Sequence, residues 1–260
     1  MIPKTIHYCW FGGNPLPTLA EKCIKSWKKF CPDYEIIRWD ESNFDIATCP
    51  LYVRQAYEAK KWAFVTDYIR LKVVYDNGGI YLDTDVEIIN NIDFLLSNKA
   101  YFGFEADKYV NTGIGFGAEK GADILKRIMD DYENIPFVLP DGNMDMTPCP
   151  IRNTKPFIEL GLIQNGETQT IDHCLVLATH ILCPVSYYDQ KEDFRDDTVS
   201  IHHFSSSWET KAKQKERKKR ISKANRKEKI DSLKHIPNRM LKKLFGEKRY
   251  EKFKNHIKGK

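Results

Sequence analysis

The sequence predicts an α/β fold with a mainly parallel sheet, and three observations support this. Residues 5–11 are apolar and β-prone, residues 17–30 carry apolar side chains at helical spacing, and residues 34–39 are again β-prone. A strand, a helix and a strand at this spacing form a βαβ unit, which makes the two strands parallel. The 260-residue chain is 42% hydrophobic and 30% charged, a composition typical of a globular protein.

The remaining elements follow from local patterns. Apolar residues at helical spacing predict a long helix over residues 53–75, which the turn chemistry of residues 76–79 ends. Residues 135–154 are rich in Pro, Gly and Asp and predict a long loop near a site. A further helix is predicted over residues 122–132, and further strands over residues 80–82, 86–89, 100–105, 112–117, 176–183 and 199–204.

Charge divides the chain into two parts. Residues 209–260 carry 21 Lys and Arg against 6 Asp and Glu, whereas residues 1–208 carry 20 and 30. We therefore expect an acidic globular domain over residues 1–208 and a basic helical tail over residues 209–260. Apolar residues alternate with Lys and Arg late in the tail, an amphipathic pattern that suits an anionic lipid surface: Met240, Leu241, Leu244, Phe245, Tyr250, Phe253 and Ile257.

Cysteine usage and hydropathy indicate the compartment. The seven cysteines are scattered without a CxxC pair, which argues against a zinc knuckle and a disulfide framework and favours reduced, mostly buried thiols. The sequence contains no run of eighteen apolar residues, so it predicts no membrane-spanning helix. The N-terminal residues also lack the hydrophobic region of a signal peptide. We expect a cytoplasmic protein, held peripherally on the inner face of the cell membrane by its tail.

The most informative motif is GGIYLDTD, residues 78–85. Asp83 and Asp85 lie two apart, so in an extended chain both carboxylates point to the same side. Two hard oxygen ligands suit Mg²⁺ or Mn²⁺, and such an ion can carry a diphosphate. A D-x-D pair also arises by chance, but its position after a strand of a doubly wound sheet, where ligands bind, favours a site over a solvated turn.

Three other places are ambiguous when each is considered alone. Asp67 and Arg70 lie on one face of a helix. They form either a surface ion pair or a binding site in which Arg70 binds phosphate and Asp67 binds sugar hydroxyls. His202 and His203 face opposite ways in a strand, so at most one can join the aspartates as a Mn²⁺ ligand. Trp10 is either a core residue or a platform for a planar base.

Taken together, these places resemble the DXD-containing sugar transferases with a GT-A fold. The likeness is to the bacterial capsular-polysaccharide and yeast mannosyltransferase-like family called glycosyltransferase family 32, and the core is similar to the glucosylating domains of large bacterial toxins. It covers roughly residues 1–208, through the segments 2–10, 63–70, 78–85 and 202–208. One departure is Cys149, which replaces the glycine of a Thr-Gly-Pro-like turn on the acceptor side, so no acceptor residue is carried over.

The resemblance implies roles for the donor-binding residues. Trp10 would stack on the nucleotide base, while Asp67 and Arg70 would bind the donor sugar and its neighbouring phosphate. Asp83 would contact the ribose or the sugar and assist the metal, and Asp85 would ligate the metal directly. Asp83, Asp85 and Arg70 are the residues expected to carry catalysis.

The C-terminal motif would complete the site. His203 would join Asp83 and Asp85 as a metal ligand because it lies at the family's spacing from Trp208. Ser206 and Trp208 would hold the diphosphate as a closing segment.

The function implied is metal-dependent, retaining transfer of a hexose or N-acetylhexosamine. The donor would be a nucleotide sugar, UDP-linked rather than GDP-linked, and the acceptor a saccharide of a capsular or other surface glycan. A glycan built on a lipid carrier would bring that acceptor to the membrane.

One alternative is a metal-dependent phosphohydrolase of nucleotide diphosphates. Another is a nucleic-acid-binding protein, but this leaves the acidic D-x-D core unexplained and no RNA-recognition signature is present, so no nucleic-acid partner is expected.

Overall fold

The computed structural model describes residues 1–105, 108–205 and 211–234. The chain forms two compact units, Met1–Trp208 and Glu209–Lys260. The first unit is a mixed α/β structure in which helices flank a seven-stranded sheet, as the sequence predicts. Within the described residues, no helix is both long enough and apolar enough to cross a membrane. None of the seven cysteines forms a disulfide, and six of them are buried.

The strands and helices of the described residues have the following bounds. The strands are β1 (Thr5–Cys9), β2 (Glu35–Trp39), β3 (Gly79–Tyr81), β4 (Val86–Ile88), β5 (Ala100–Gly103), β6 (Phe116–Ala118), β7 (Gln169–Ile171), β8 (Cys174–Leu177) and β9 (Ser200–His202). The helices are α1 (Thr18–Phe30), α2 (Leu51–Glu58), α3 (Trp62–Asn77), α4 (Asp123–Glu133), α5 (Cys149–Glu159), α6 (Thr179–Leu182) and α7 (Lys211–Lys234), and short 3₁₀ turns lie at Ile46–Thr48 and Asp93–Ser97.

The strand order of the large sheet is β2-β1-β3-β6-β5-β8-β7. Strand β1 is parallel to both β2 and β3, and β5 is parallel to β8. Strand β6 is antiparallel to both β3 and β5, and β7 is antiparallel to β8. Five of the seven strands therefore run in one direction, which confirms a mainly parallel sheet. Strands β4 and β9 form a separate antiparallel pair.

Side chains alternate between the two faces of the sheet, and each face packs on its own apolar cluster. On β3 and just beyond it, Ile80 and Leu82 belong to the cluster that includes α1 and α6, whereas Tyr81 belongs to the cluster that includes α2 to α5. This period of two is what a strand covered on both faces requires. The packing fixes β3, and with it the two aspartates that follow.

The structure differs most from the predicted elements in four places. The strand predicted over 112–117 is a turn followed by β6. The helix predicted over 53–75 is two helices, α2 and α3, because Lys60 adopts a left-handed φ of 56° between them. Helix α5 begins inside the predicted loop of residues 135–154, with a proline in its first turn, where the missing N–H costs nothing. The strand predicted over 176–183 is the end of β8 followed by α6.

The tail is helical over Lys211–Lys234, in agreement with the prediction of a basic helical tail. The apolar residues between 240 and 257 that suggested an amphipathic pattern lie outside the described residues.

Candidate functional site

The topology brings two of the predicted segments to one edge of the sheet. Because β1 and β3 are parallel, Trp10 after β1 and Asp83 after β3 lie at the same edge. The pairing of these strands extends past β3, where the Leu82 N–H donates to the His7 carbonyl at 3.1 Å. Trp10 is half-buried, and its indole N–H donates to the Asn14 carbonyl at 2.6 Å.

Asp83, Asp85 and His202 form a cluster that could hold a metal ion. Each residue offers one ligand atom, and these atoms all lie within 4.8 Å of one another. The pairing of β4 with β9 creates the cluster because it sets Val86 opposite His202, and Nε2 of His202 lies 3.2 Å from Oδ1 of Asp85. Two carboxylates and one imidazole are a donor set that fits Mn²⁺, and the carboxylates also suit Mg²⁺.

The structure puts His202, and not the predicted ligand His203, beside the two aspartates. The imidazole of His203 points away, with Nε2 at 2.8 Å from Oε2 of Glu87. Its main-chain N–H donates to the Asp85 carbonyl at 3.0 Å. Adjacent residues of an extended chain present their side chains to opposite sides, so only one of the two histidines can face the aspartates.

Asp85 is held as a carboxylate in a buried position. Oδ2 accepts the main-chain N–H of Ser205 at 2.8 Å, and Oδ1 faces His202. Burial alone would raise the pKa of Asp85, but the charge and hydrogen bond of His202 and the hydrogen bonds from Ser205 outweigh burial and lower it. Asp85 is therefore ionised at neutral pH. In the same pair, burial opposes the positive charge of His202, and Asp85 raises its pKa well above the usual value.

Asp67 and Arg70 form a buried pair and not a surface ion pair. Arg70 is 3% exposed, and its Nη2 lies 2.8 Å from Oδ1 of Asp67. Its Nε also donates to the carbonyl of Thr66 at 3.0 Å, which fixes the guanidinium in one orientation. Burial raises the pKa of Asp67 to about 6, against the opposing charge of Arg70.

The same guanidinium joins this pair to the D-x-D motif. Nη1 of Arg70 lies 3.5 Å from Oδ2 of Asp83, and the phenol of Tyr81 donates to Oδ1 of Asp83 at 3.0 Å. Burial raises the pKa of Asp83, and the charge of Arg70 opposes this. The Asp83 side chain remains 27% exposed, so a ligand can reach it. The guanidinium of Arg70 therefore lies between the carboxylates of Asp67 and Asp83, next to the candidate metal cluster.

A segment that the sequence analysis assigned to a strand closes the other side of Arg70 and Asp83. A Cβ at Gly113 would lie 2.7 Å from Oδ2 of Asp83 and 3.0 Å from Nη1 of Arg70. The Gly113 N–H donates to Oδ1 of Asn111 at 2.7 Å, and the thiol of Cys149 lies 3.8 Å from that oxygen. A glycine inside a predicted strand is a signal of close approach, and it could have marked this segment.

Two predicted donor-binding residues, Ser206 and Trp208, lie outside the described residues. Of the other predicted site residues, the structure brings Asp67, Arg70, Asp83 and Asp85 into one connected group and puts Trp10 at the same edge of the sheet.

Part of the chain, including some of the candidate site residues, is similar to known proteins. Residues 17–102 match the family model described as a glycosyltransferase sugar-binding region containing a DXD motif. One similar protein is inositol phosphoceramide mannosyltransferase 3 of Schizosaccharomyces pombe (strain 972 / ATCC 24843), which is 30% identical over 140 residues. The match covers 52% of this chain and 38% of the relative, so the chain spans less than two fifths of that protein's length.

Two solved structures are also similar. The PaToxG glycosyltransferase is 16% identical with a TM-score of 0.46, over 61% of this chain and 68% of that one. A glycosyltransferase involved in the glycosylation of the major capsid of PBCV-1 is 14% identical with a TM-score of 0.41, over 82% of this chain and 98% of that one.

The family match includes both aspartates of the D-x-D motif and the buried Asp67 and Arg70 pair. Residues 17–102 are therefore similar to the sugar-binding region of DXD-containing glycosyltransferases, in agreement with the resemblance drawn from the sequence.

Proposed function

We propose that this protein is a metal-dependent glycosyltransferase that moves a hexose or N-acetylhexosamine from a nucleotide sugar to a saccharide acceptor. One observation carries the proposal: the cluster of Asp83, Asp85 and His202 lies directly beside the buried guanidinium of Arg70. A divalent-cation ligand set next to a fixed cation suits a diphosphate, which is the leaving group of such a donor.

Mn²⁺ or Mg²⁺ would be held by Asp83, Asp85 and His202. Such an ion, when bound, supplies positive charge that stabilises the departing diphosphate. A neighbouring positive charge and the hydrogen bonds from Ser205 favour the ionised form of Asp85 despite burial: His202 supplies that charge here, and the ion would supply it where His202 is a neutral ligand. Asp83 is held by Tyr81 and Arg70 and remains partly exposed, so it can contact both the ion and the donor.

Arg70 would stabilise the negative charge that develops on the phosphate oxygens. Preorganised positive groups at the place where charge develops commonly make the largest contribution to catalysis. Asp67 and the Thr66 carbonyl hold the guanidinium in place, so it needs no reorganisation during the reaction. Asp67 would accept donor-sugar hydroxyls, and Trp10 at the same edge would stack on the base.

Three finer parts of the proposal are supported by resemblance alone. The core with Trp10 and Arg70 is similar to that of the glucosylating toxins, which supports UDP over GDP. The family resemblance supports retention of configuration, with the acceptor hydroxyl attacking on the face that the phosphate leaves. It also supports a role in capsular or other surface-glycan synthesis.

We also propose a cytoplasmic protein that is peripheral on the inner face of the membrane, with a lipid-linked acceptor. The excess of basic residues over 209–260 supports attraction to anionic lipid, at about 1 kcal/mol for each Lys or Arg near the surface. The name of the S. pombe relative describes a mannosyltransferase for inositol phosphoceramide, which is a lipid. Binding to anionic vesicles and to RNA, each across a salt series, separates this proposal from a nucleic-acid role.

The function is tested by incubating the protein with a panel of UDP- and GDP-sugars and Mn²⁺, with nucleotide and phosphate measured separately. We expect slow release of UDP, lost on chelation and in Asp85→Ala, but retained in Asp33→Ala, an exposed aspartate on another part of the surface. Release of inorganic phosphate would instead indicate a phosphohydrolase. Among the described residues, only one group of acidic and histidine side chains could hold a metal, which is few for a two-metal hydrolase.

A further inference from the structure

Helix α5 holds a segment of the donor side through buried side chains. The hydroxyl of Thr154 accepts the Val110 N–H at 2.8 Å and donates to the Pro150 carbonyl at 2.6 Å. From the preceding helix residue, Nδ2 of Asn153 donates to Oγ1 of Thr112 at 2.9 Å. Asn153, Thr154 and Thr112 are each at most 1% exposed, so water cannot replace these bonds.

The residue between these two anchors is also in contact with α5. Asn111 lies against the thiol of Cys149, the first residue of the helix, with Sγ at 3.8 Å from Oδ1. Three successive residues, 110 to 112, are thus each held by a different side chain of α5. The next residue is Gly113, which packs against Asp83 and Arg70.

The helix is itself fixed to the rest of the domain, so it can serve as a support. Arg152 lies on α5 between Cys149 and Asn153. Its Nη1 is 2.7 Å from Oδ2 of Asp131 on α4, and its guanidinium also pairs with Asp145 of the preceding loop. Its guanidinium lies over the rings of Tyr52 and Tyr132, with Cζ at 5.6 Å and 5.5 Å from their centroids. No residue of α5 is among the predicted donor-site residues, although the Cys149 thiol is hydrogen-bonded to Asp67.

We propose that Thr154 and Asn153 are positioning residues, which hold segment 110–113 against Asp83 and Arg70 and so set the place of the donor's phosphate and sugar. The kinetic part of this inference rests on the proposed glycosyltransferase activity. The structural part, the anchoring of residues 110–113 by α5, does not depend on which reaction is catalysed.

The test compares Thr154→Val, which removes the hydroxyl at nearly constant shape, with Thr154→Ser, which keeps it. Hydrogen exchange reports the anchoring, because the amides of Val110 and Gly113 are both hydrogen-bonded to side chains. We expect faster exchange at both amides in Thr154→Val and near wild-type protection in Thr154→Ser. Asn153→Ala is a second variant, which should expose the same segment through Thr112.

Kinetics measure the consequence for the donor. A donor-site displacement of a fraction of an ångström should lower kcat/KM for UDP release by about tenfold or more in Thr154→Val, with rescue by Thr154→Ser. The matched control is Thr198→Val, because its buried hydroxyl also joins two main-chain groups, the Arg195 N–H at 2.9 Å and the His180 carbonyl at 2.9 Å. It should lower stability to a similar degree but leave kcat/KM within about threefold.

Two results would overturn the inference: unchanged exchange at Val110 and Gly113 in both Thr154→Val and Asn153→Ala, or an equal loss of kcat/KM in Thr198→Val. If the wild-type protein releases no nucleotide from any donor, the proposed function fails, and hydrogen exchange still decides whether α5 anchors the segment.

Discussion

Asp83, the partly exposed carboxylate of the D-x-D motif, is in tight contact with Gly113. The substitution Gly113→Ala tests this contact most simply. The added Cβ would lie 2.7 Å from Oδ2 of Asp83, 3.0 Å from Nη1 of Arg70 and 3.0 Å from Oδ1 of Asn111. Ordinary van der Waals contact begins at 3.4 Å, so the carboxylate must move by about 0.7 Å. No left-handed backbone strain contributes, since Gly113 does not have a positive φ.

The size of the effect follows from this displacement. A displacement of about 1 Å among catalytic groups lowers the rate on the order of 100-fold. Because the displacement here is smaller, we expect kcat/KM to fall by a factor of a few tens. Overpacking a close contact costs about 1–3 kcal/mol of unfolding free energy, which leaves the protein folded. Activity should therefore fall much more than stability.

The assay is Mn²⁺-dependent release of UDP, measured beside urea unfolding of the same samples. The control is Gly121→Ala, because a Cβ there meets no atom within 4 Å and φ is +75°. It should lower stability through backbone strain of about 1–2 kcal/mol and leave kcat/KM near wild type. Full activity in Gly113→Ala, or an equal loss in Gly121→Ala, would refute the account of the contact.

Three further predictions concern other parts of the domain. His202→Ala should weaken Mn²⁺ binding in calorimetry by at least about tenfold, whereas His203→Ala should leave it nearly unchanged; the reverse result would restore His203 as the ligand. Burial lowers the pKa of His7, so below its unfolded pKa of about 6.5 the unfolded chain binds a proton that the folded chain does not. The contribution of His7 to stability should therefore fall as the pH is lowered from 7 to 5, so His7→Gln should reduce the rise of stability with pH by up to about 1.4 kcal/mol per pH unit in urea unfolding; an unaltered slope would show that His7 is not responsible. Arg152→Ala should cost about 2–3 kcal/mol in thermal unfolding because Asp131 and Asp145 both lose the guanidinium between them, whereas Lys155→Ala, which removes a 65% exposed second partner of Asp131, should stay within about 0.5 kcal/mol; similar losses in both would argue against a special role of the partly buried Arg152 pairs.

The donor side of the site was predictable because its residues are close in sequence. Asp67 and Arg70 share one turn of α3, and Asp83 and Asp85 follow one strand, so local periodicity is enough to put each pair on one side. The glycine pair before the strand and the apolar run within it make the end of β3 recognisable from sequence.

Contacts between distant segments were not predictable in this way. The choice between His202 and His203 depends on the register of β9 against β4, and no local pattern fixes that register. Helix α5 was missed because prolines and aspartates dominate the residues before it, although proline in a first turn is compatible with a helix. The approach of Gly113 to Asp83 depends on both the sheet order and that helix.

We propose that Asp83, Asp85 and His202 bind a divalent ion that in turn binds a nucleotide diphosphate. Calorimetric titration of UDP into the protein, with Mn²⁺ and with EDTA, tests it without any assumption about sugar or acceptor. We expect UDP binding with Mn²⁺ that is lost in EDTA and in Asp85→Ala. Equal UDP affinity with and without the metal, or unchanged affinity in Asp85→Ala, would contradict it.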